Sequence, residues 1–305
     1  MSAARPRVLA LVGPTGTGKT ELACEIARRS GAEIVSADSM QVYRGMDVGT
    51  AKPSAALRAE VPHHALDLVA PDEPMSAGTW AAVARAAAAD VAARGRPVLL
   101  VGGTGLYARA FAGGLITGAE SHPALRAELE ALSDAALRSE LARADPAAAA
   151  RIPPRDRVRA VRALEALRLA ARPISEQHAQ HRFADRPFDV RWLGLALDRE
   201  LLAKRLRERV AGMLAAGWVD EVKRLRSAGI DRELRPMRAI GYREINQLLD
   251  GENDLAETHE RIWIATRRYA KRQRTWFRAE RELEWVDASA PESVVARALA
   301  ELSRR

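Results

Sequence analysis

Apolar residues in this chain fall into short unbroken runs, and what separates the runs changes along its length. Residues 8–12, 33–35 and 97–101 are such runs and predict strands. Between them lie helical stretches, of which 76–94 is the longest, with Ser76 as a candidate N-cap. The first 115 residues therefore predict a parallel α/β unit. From 118 to 186 the composition turns to Ala, Arg, Glu and Leu without strand signals, as in 123–132 and 155–171, which predicts a helical insertion. A strand-like run at 191–197 resumes the sheet, helices dominate afterwards, and one more short strand is expected at 283–286.

The loop after the first run is Gly13-Pro14-Thr15-Gly16-Thr17-Gly18-Lys19-Thr20, and residues 21–27 continue it as a helix. Strand, glycine-rich loop and helix in this register form a phosphate cradle. The glycines turn backbone N–H groups on an anion, Lys19 adds a mobile positive charge, and Thr20 offers a hydroxyl to a divalent metal, Mg2+. A kinase, an ATPase or a group-transfer enzyme with a diphosphate leaving group could each use the loop. The run at 97–101 leads into Gly102-Gly103-Thr104-Gly105 without the acidic residue that ends a Walker B strand, which counts against an ordinary ATPase. Asp38 follows the second predicted strand; its carboxylate either faces the same cleft or caps a turn. The expectation is an α/β fold, a P-loop NTPase-like parallel sheet flanked by helices with an inserted all-helical domain. Its parts are a core over 1–117, the insertion over 118–187 and the rest of the core over 188–305.

With 305 residues and 48% apolar content the chain can bury a substantial core. No apolar run approaches the roughly 20 residues that span a bilayer, and residues 1–7 are too short for a signal peptide, so a cytoplasmic protein without membrane contact is expected. The single cysteine, Cys24, excludes internal disulfides and reads as a small buried hydrophobe. The net charge of +8 favours a polyanionic partner, but only five of the 48 basic residues are lysine, so their placement carries more weight than their number. Between 261 and 281 there are eight basic residues and one acid, Glu280. Arg267, Lys271, Arg274 and Arg278 line one helical face, while Ile262, Tyr269 and Trp276 recur at sevens and can face the core. The pairs His63–His64 and His178–His181 lack the partners of a metal site.

Several segments, in order along nearly the whole chain, resemble the bacterial tRNA dimethylallyltransferases, also called tRNA isopentenylpyrophosphate transferases. They are Gly13–Thr20, the ten residues from Asp38, Gly49-Thr50-Ala51-Lys52-Pro53, Pro62-His63-His64, Gly102–Tyr107, Gly241-Tyr242-Arg243-Glu244 and Lys271–Arg278. The resemblance implies transfer of a dimethylallyl group from dimethylallyl diphosphate to N6 of the adenosine just 3′ of the tRNA anticodon (position 37), with Mg2+. Asp38 would accept the amine proton and Thr104 would line the channel. Lys19, the loop from Gly13 to Thr20 and Arg209 would meet the leaving diphosphate.

The resemblance further implies tRNA contacts from Asp38, Ser39, Met40 and Gln41, and from Arg126, Arg159 and Arg162 toward the anticodon stem-loop. Arg238, Gly241, Tyr242 and Arg243 would follow, then Lys271, Arg272, Gln273, Arg274, Trp276 and Arg278. Val158 stands where the family usually has glutamine. A monomer is expected. Rival readings are an adenylate isopentenyltransferase acting on a free nucleotide, a P-loop small-molecule kinase and a non-catalytic RNA-binding protein. The insertion and the basic segment favour the larger acceptor.

Overall fold

The computed structural model describes residues 5–115, 122–181 and 185–304. Its six strands are β1 (Arg7–Val12), β2 (Glu33–Ser36), β3 (His63–His64), β4 (Val98–Gly102), β5 (Asp189–Ala196) and β6 (Leu283–Asp287). They form one all-parallel sheet in the order β3-β2-β4-β1-β5-β6. A parallel sheet is covered on both faces, and the unbroken apolar runs of β1 and β4, buried almost throughout, are its sequence signature.

The chain divides into two compact units. The first, residues 1–112 with 187–305, holds the sheet and its helices. Before the insertion come α1 (Lys19–Ser30), α2 (Ala55–Glu60), α3 (Ala77–Ala93) and α4 (Gly105–Gly113). Ser76 caps α3 by accepting the Thr79 amide at 3.0 Å. The second unit, Gly113–Arg186, contains α5 (Pro123–Ala131), α6 (Asp134–Ala144), α7 (Pro146–Arg151), α8 (Arg157–Ala170) and α9 (Ile174–His181). It has its own core of Leu129, Leu137, Leu141, Val161 and Leu164. Asp145 joins its short helices, accepting the Ala148 amide that caps α7 and the Ser175 amide of α9, each at 2.9 Å. The first unit then continues with α10 (Arg199–Ala215), α11 (Trp218–Ser227), α12 (Tyr242–Leu249), α13 (Leu255–Arg278) and α14 (Pro291–Ser303). Leu22 and Ile26 of α1 meet Val294, Val295 and Ala298 of α14 over β-strand residues Leu9, Leu11 and Leu99. Cys24 lies in this cluster, and burial pushes its thiol up to about 11.

The five expected strands are present, with β5 beginning two residues before 191. The sixth, β3, and the short α2 were not expected, because two half-buried histidines at an edge carry no apolar run. The expected boundary at 117/118 falls outside the described residues.

Strand order is what builds the site. Val12 pairs with Gly102 and Ser36 with Val101, so the loops that leave β1, β2 and β4 emerge side by side at the carboxyl edge of the sheet. The Ala37 amide donates to Val101 O at 2.7 Å and the Thr104 amide to Ala37 O at 3.2 Å, fastening two of these loops together. Gly13 turns the chain out of β1 at φ +144°, and a Cβ there would lie 2.7 Å from Leu195 O. Gly13→Ala should therefore destabilise the protein by roughly 2–5 kcal/mol in denaturant unfolding, from the combined backbone strain and overpacking. A change below about 0.5 kcal/mol, the size of an ordinary surface substitution, would contradict this packing.

Candidate active site

The loop from Gly13 to Thr20 is closed by its own polar groups. Thr17 Oγ1 donates to Pro14 O at 2.9 Å, and Lys19 Nζ folds back to donate to the same oxygen at 2.6 Å. Gly18 takes the left-handed conformation at φ 82° that starts α1, leaving the first amides of the helix to face a ligand. Thr15 N donates to Gln273 Oε1 at 2.8 Å, while Gln273 Nε2 donates to Gly103 O at 2.9 Å. One side chain of α13 thus holds both the cradle and the turn after β4.

A cavity of about 410 Å3 opens over this edge of the sheet. Thr15, Gly16, Gly18, Lys19 and Thr20 line it, together with the half-buried Arg209 of α10. Among the described residues Arg209 forms no ion pair with an acid, and the Thr20 hydroxyl makes no hydrogen bond. Burial, and after it the Arg209 guanidinium, push the Lys19 ammonium down to about 7, against the opposing pull of Asp38 and Glu21. Two cations facing a cavity without acid partners make a site that favours an anion.

Asp38, Ser39, Met40 and Gln41 also line the cavity. Asp38 does both things considered for it: Oδ1 accepts the amides of Met40 at 2.8 Å and Gln41 at 3.4 Å, as in an Asx turn, and the residue borders the cavity. Its Oδ2 has no hydrogen-bond partner among the described residues. Thr104 is not among the lining residues; its Oγ1 accepts the Ser39 amide at 3.0 Å and donates to Ser39 Oγ at 3.3 Å. The Thr104 hydroxyl therefore tethers the loop that carries Asp38. Gln41 is buried, its Oε1 accepting from Ser36 Oγ at 2.9 Å and its Nε2 donating to Thr50 O and Ala51 O, both at 3.2 Å.

Other expected contacts meet different physical circumstances. In the second unit Arg126 and Arg162 both grip Glu165, at 2.7 and 2.8 Å, and that carboxylate is fully buried and also accepts the His122 amide at 3.0 Å. Arg159 is exposed beside Asp156, and Val158 is 80% exposed. Arg238 is exposed and lines the cavity, whereas Gly241 and Tyr242 are buried. Gly241 is packed on the Trp218 ring; Tyr242 and Gln273 are buried yet line the cavity, the Tyr242 hydroxyl donating to Glu221 at 2.7 Å and the Gln273 amide bonding two backbone groups. Arg243 pairs with Glu244.

On α13 the charged stripe is real. Arg267, Lys271 and Arg278 are exposed, Arg274 is half-buried, and none of the four forms an ion pair among the described residues. Arg272 lines the cavity and lies over the Tyr269 ring at 5.6 Å. Ile262 is buried as expected, but Tyr269 lines the cavity and Trp276 is half-buried with Arg109 over its ring at 4.8 Å. His63 lines the cavity, its Nδ1 donating to Val61 O at 2.6 Å, and His64 Nε2 meets Glu33 at 2.7 Å; the His178 and His181 side chains lie outside the described residues. Sequence reasoning missed the apolar wall of Val210, Met213, Trp218 and Ile240. Met213 stands four residues after Arg209 on α10, a helical spacing that could have suggested a shared face.

Residues 41–280 match the family model described as IPP transferase, and residues 6–62 match one described as isopentenyl transferase. The chain is 47% identical over 290 residues to the tRNA dimethylallyltransferase of Geobacter sulfurreducens, covering 94% of this chain and 93% of that one. The crystal structure of the full-length tRNA isopentenylpyrophosphate transferase of Bacillus halodurans is similar with a TM-score of 0.72 at 36% identity, covering 98% of each chain. A eukaryotic dimethylallyltransferase captured acting on tRNA is similar with a TM-score of 0.82 at 27% identity, over 93% of this chain and 74% of that one.

The lowered Lys19 value has a definite consequence. Below pH 7 the ammonium is charged in the empty cradle, and above it the amine is neutral and must take up a proton when an anion binds. Affinity for inorganic diphosphate should therefore weaken above pH 7 by up to about tenfold per pH unit relative to Lys19→Arg, whose guanidinium stays charged. Parallel pH profiles of the two proteins in calorimetric titration would contradict the assignment.

Proposed function

We propose a function from one premise: the chain belongs to the IPP transferase family. It transfers the dimethylallyl group of dimethylallyl diphosphate to N6 of the adenosine just 3′ of the anticodon in tRNA and releases diphosphate. The observation that carries this reading is a single cavity lined both by an anion cradle with two cations, Lys19 and Arg209, and by Asp38, whose Oδ2 has no hydrogen-bond partner among the described residues.

The N6 lone pair forms a bond to C1 of the dimethylallyl group as the C1–O bond breaks, and that electron pair goes to the diphosphate. The amine proton goes to Asp38 Oδ2. Exocyclic adenine nitrogens are weak nucleophiles, so a positioned base assists. The cradle amides, Lys19 and Arg209 meet the charge that gathers on the leaving group. Mg2+ fits here: Thr20 presents an oxygen donor without a hydrogen-bond partner among the described residues, and a cation held there would supply further positive charge to the leaving group. The adenosine reaches the cavity by leaving its stack, as an exocyclic target in a loop requires.

The exposed face of α13 is the surface for the tRNA backbone. Arg267, Lys271, Arg274 and Arg278 recur along one side of a 24-residue helix whose Gln273 grips the cradle. The second unit, with Arg126, Arg159 and Arg162, takes the anticodon stem-loop, and Glu165 holds two of those guanidinium groups in place. The protein acts as a monomer in the cytoplasm; among the described residues no helix is long and apolar enough to cross a membrane.

Asp38→Asn keeps the Oδ1 acceptor of the turn and removes only the base. It should lower kcat by about 10²–10⁴-fold with tRNA affinity intact. A variant that keeps most of its rate would remove Asp38 from proton transfer. Replacing Lys271 and Arg274 together with alanine should weaken tRNA binding and flatten its dependence on salt by roughly one to two units of slope. Unchanged binding across a salt series would show that the stripe is only a solvated face.

A further inference from the structure

Glu221 of α11 is fully buried, and among the described residues no cation pairs with it. Its four partners are neutral donors. Oε2 accepts the amides of Asp47 and Val48, both at 2.7 Å, and Oε1 accepts the Gly49 amide at 3.1 Å and the Tyr242 hydroxyl at 2.7 Å. Three consecutive backbone N–H groups turned on one carboxylate make an anion nest, here occupied by the protein's own side chain. Burial and the neighbouring Glu221 charge push the Tyr242 phenol well above its ordinary value, which keeps it the donor in this pair. A buried carboxylate is tolerable only when it is hydrogen-bonded so fully.

The nest lies on the chain segment that leads back to the reacting carboxylate. Gly49, Thr50 and Ala51 line the cavity. Thr50 O and Ala51 O receive the Gln41 amide, and Gln41 N donates to Asp38 Oδ1. Gly49 also lies flush on two rings, since a Cβ there would stand 2.1 Å from Trp218 Nε1 and 2.5 Å from Tyr242 Cζ. Lys52 closes the far end of the segment, its ammonium bonding Tyr43 O at 2.7 Å, Asp47 at 2.7 Å and Asp67 at 2.5 Å. α11 follows α10, which carries Arg209, so the staple and a cation of the diphosphate side belong to adjoining helices.

We infer that Glu221 is a positioning residue of the transfer reaction: by stapling residues 47–49 to α11 it fixes, through Gln41, where Asp38 stands relative to the diphosphate cradle. This rests on the proposed role of Asp38 as base. The carboxylate touches no substrate, and its effect reaches the reaction through the loop.

Glu221→Gln is the test, because an amide offers one accepting oxygen in place of two and turns an NH2 group toward backbone donors. It should lower kcat on the order of 10²-fold, the cost of a small misplacement of a reacting group. The KM for dimethylallyl diphosphate and the Kd for tRNA should stay within about threefold, since neither binding surface is removed. Hydrogen–deuterium exchange should rise in peptides covering 38–52 and not elsewhere. Tyr242→Phe, which removes one donor of four, should lower kcat by about threefold to tenfold, as the loss of one hydrogen bond to a charged group would.

Wild-type kcat in Glu221→Gln would overturn the inference, as would a parallel loss of both binding constants with exchange raised throughout the protein. If Glu221→Gln does not fold, Tyr242→Phe decides alone: a lowered kcat with unchanged binding supports the staple, and an unchanged kcat overturns it. Asp38→Asn separates the two ideas. A fast Asp38→Asn removes the base itself, whereas a slow Asp38→Asn beside a fast Glu221→Gln removes only the staple.

Discussion

The amide of Gln273 is the joint on which the site depends. It accepts from Thr15 and donates to Gly103, so the helix that presents the basic face also grips two loops at the edge of the sheet. Both ends of this buried amide are satisfied, and losing either partner would leave a buried polar group at a cost of about 1–3 kcal/mol. The close approach explains the glycines of the turn after β4. A Cβ on Gly103 would stand 2.1 Å from Gln273 Nε2, and one on Gly105 would stand 2.1 Å from the Trp276 ring. Cradle, turn and helix are therefore one mechanical piece, and the helix that carries the exposed basic face is tied to the glycine-rich loop.

Within that frame the charges are divided in a way that suits group transfer. Lys19 and Arg209 face the cavity without forming ion pairs among the described residues, and burial with the Arg209 charge holds Lys19 down to about 7. Asp38 shares the same cavity but is anchored by backbone amides through one oxygen only. A reaction that ends with a new anion and a released proton meets a prepared group for each. Preorganised charges of this kind act without the reorganisation that water would need. The buried carboxylate of Glu221 is the reverse case of the half-buried Asp38, fully saturated and so confined to holding the loop.

The sheet was legible where two-sided burial leaves an unbroken apolar run, as in β1 and β4, and the glycine-rich loop announced the cradle. β3 was not legible, because its two histidines pair at an edge and one is spent on Glu33. Matching motifs identified residues that matter without saying how. Gly241, Tyr242 and Gln273 read as contacts for a nucleic acid, and the structure adds that all three are buried and that Gln273 bridges two loops. Glu221 resembled any acid in the first turn of a helix, and only tertiary structure brings three amides from 170 residues away onto it. Glu165, which holds Arg126 and Arg162, was hidden for the same reason.

The most direct measurement follows label from dimethylallyl diphosphate, with Mg2+, into unmodified tRNA and AMP offered together as acceptors. The account predicts label in tRNA alone, on N6 of the adenosine after the anticodon, and a variant with the four basic positions of α13 neutralised should lose this transfer. Label in AMP would contradict tRNA as the acceptor, and label in neither would contradict prenyl transfer itself.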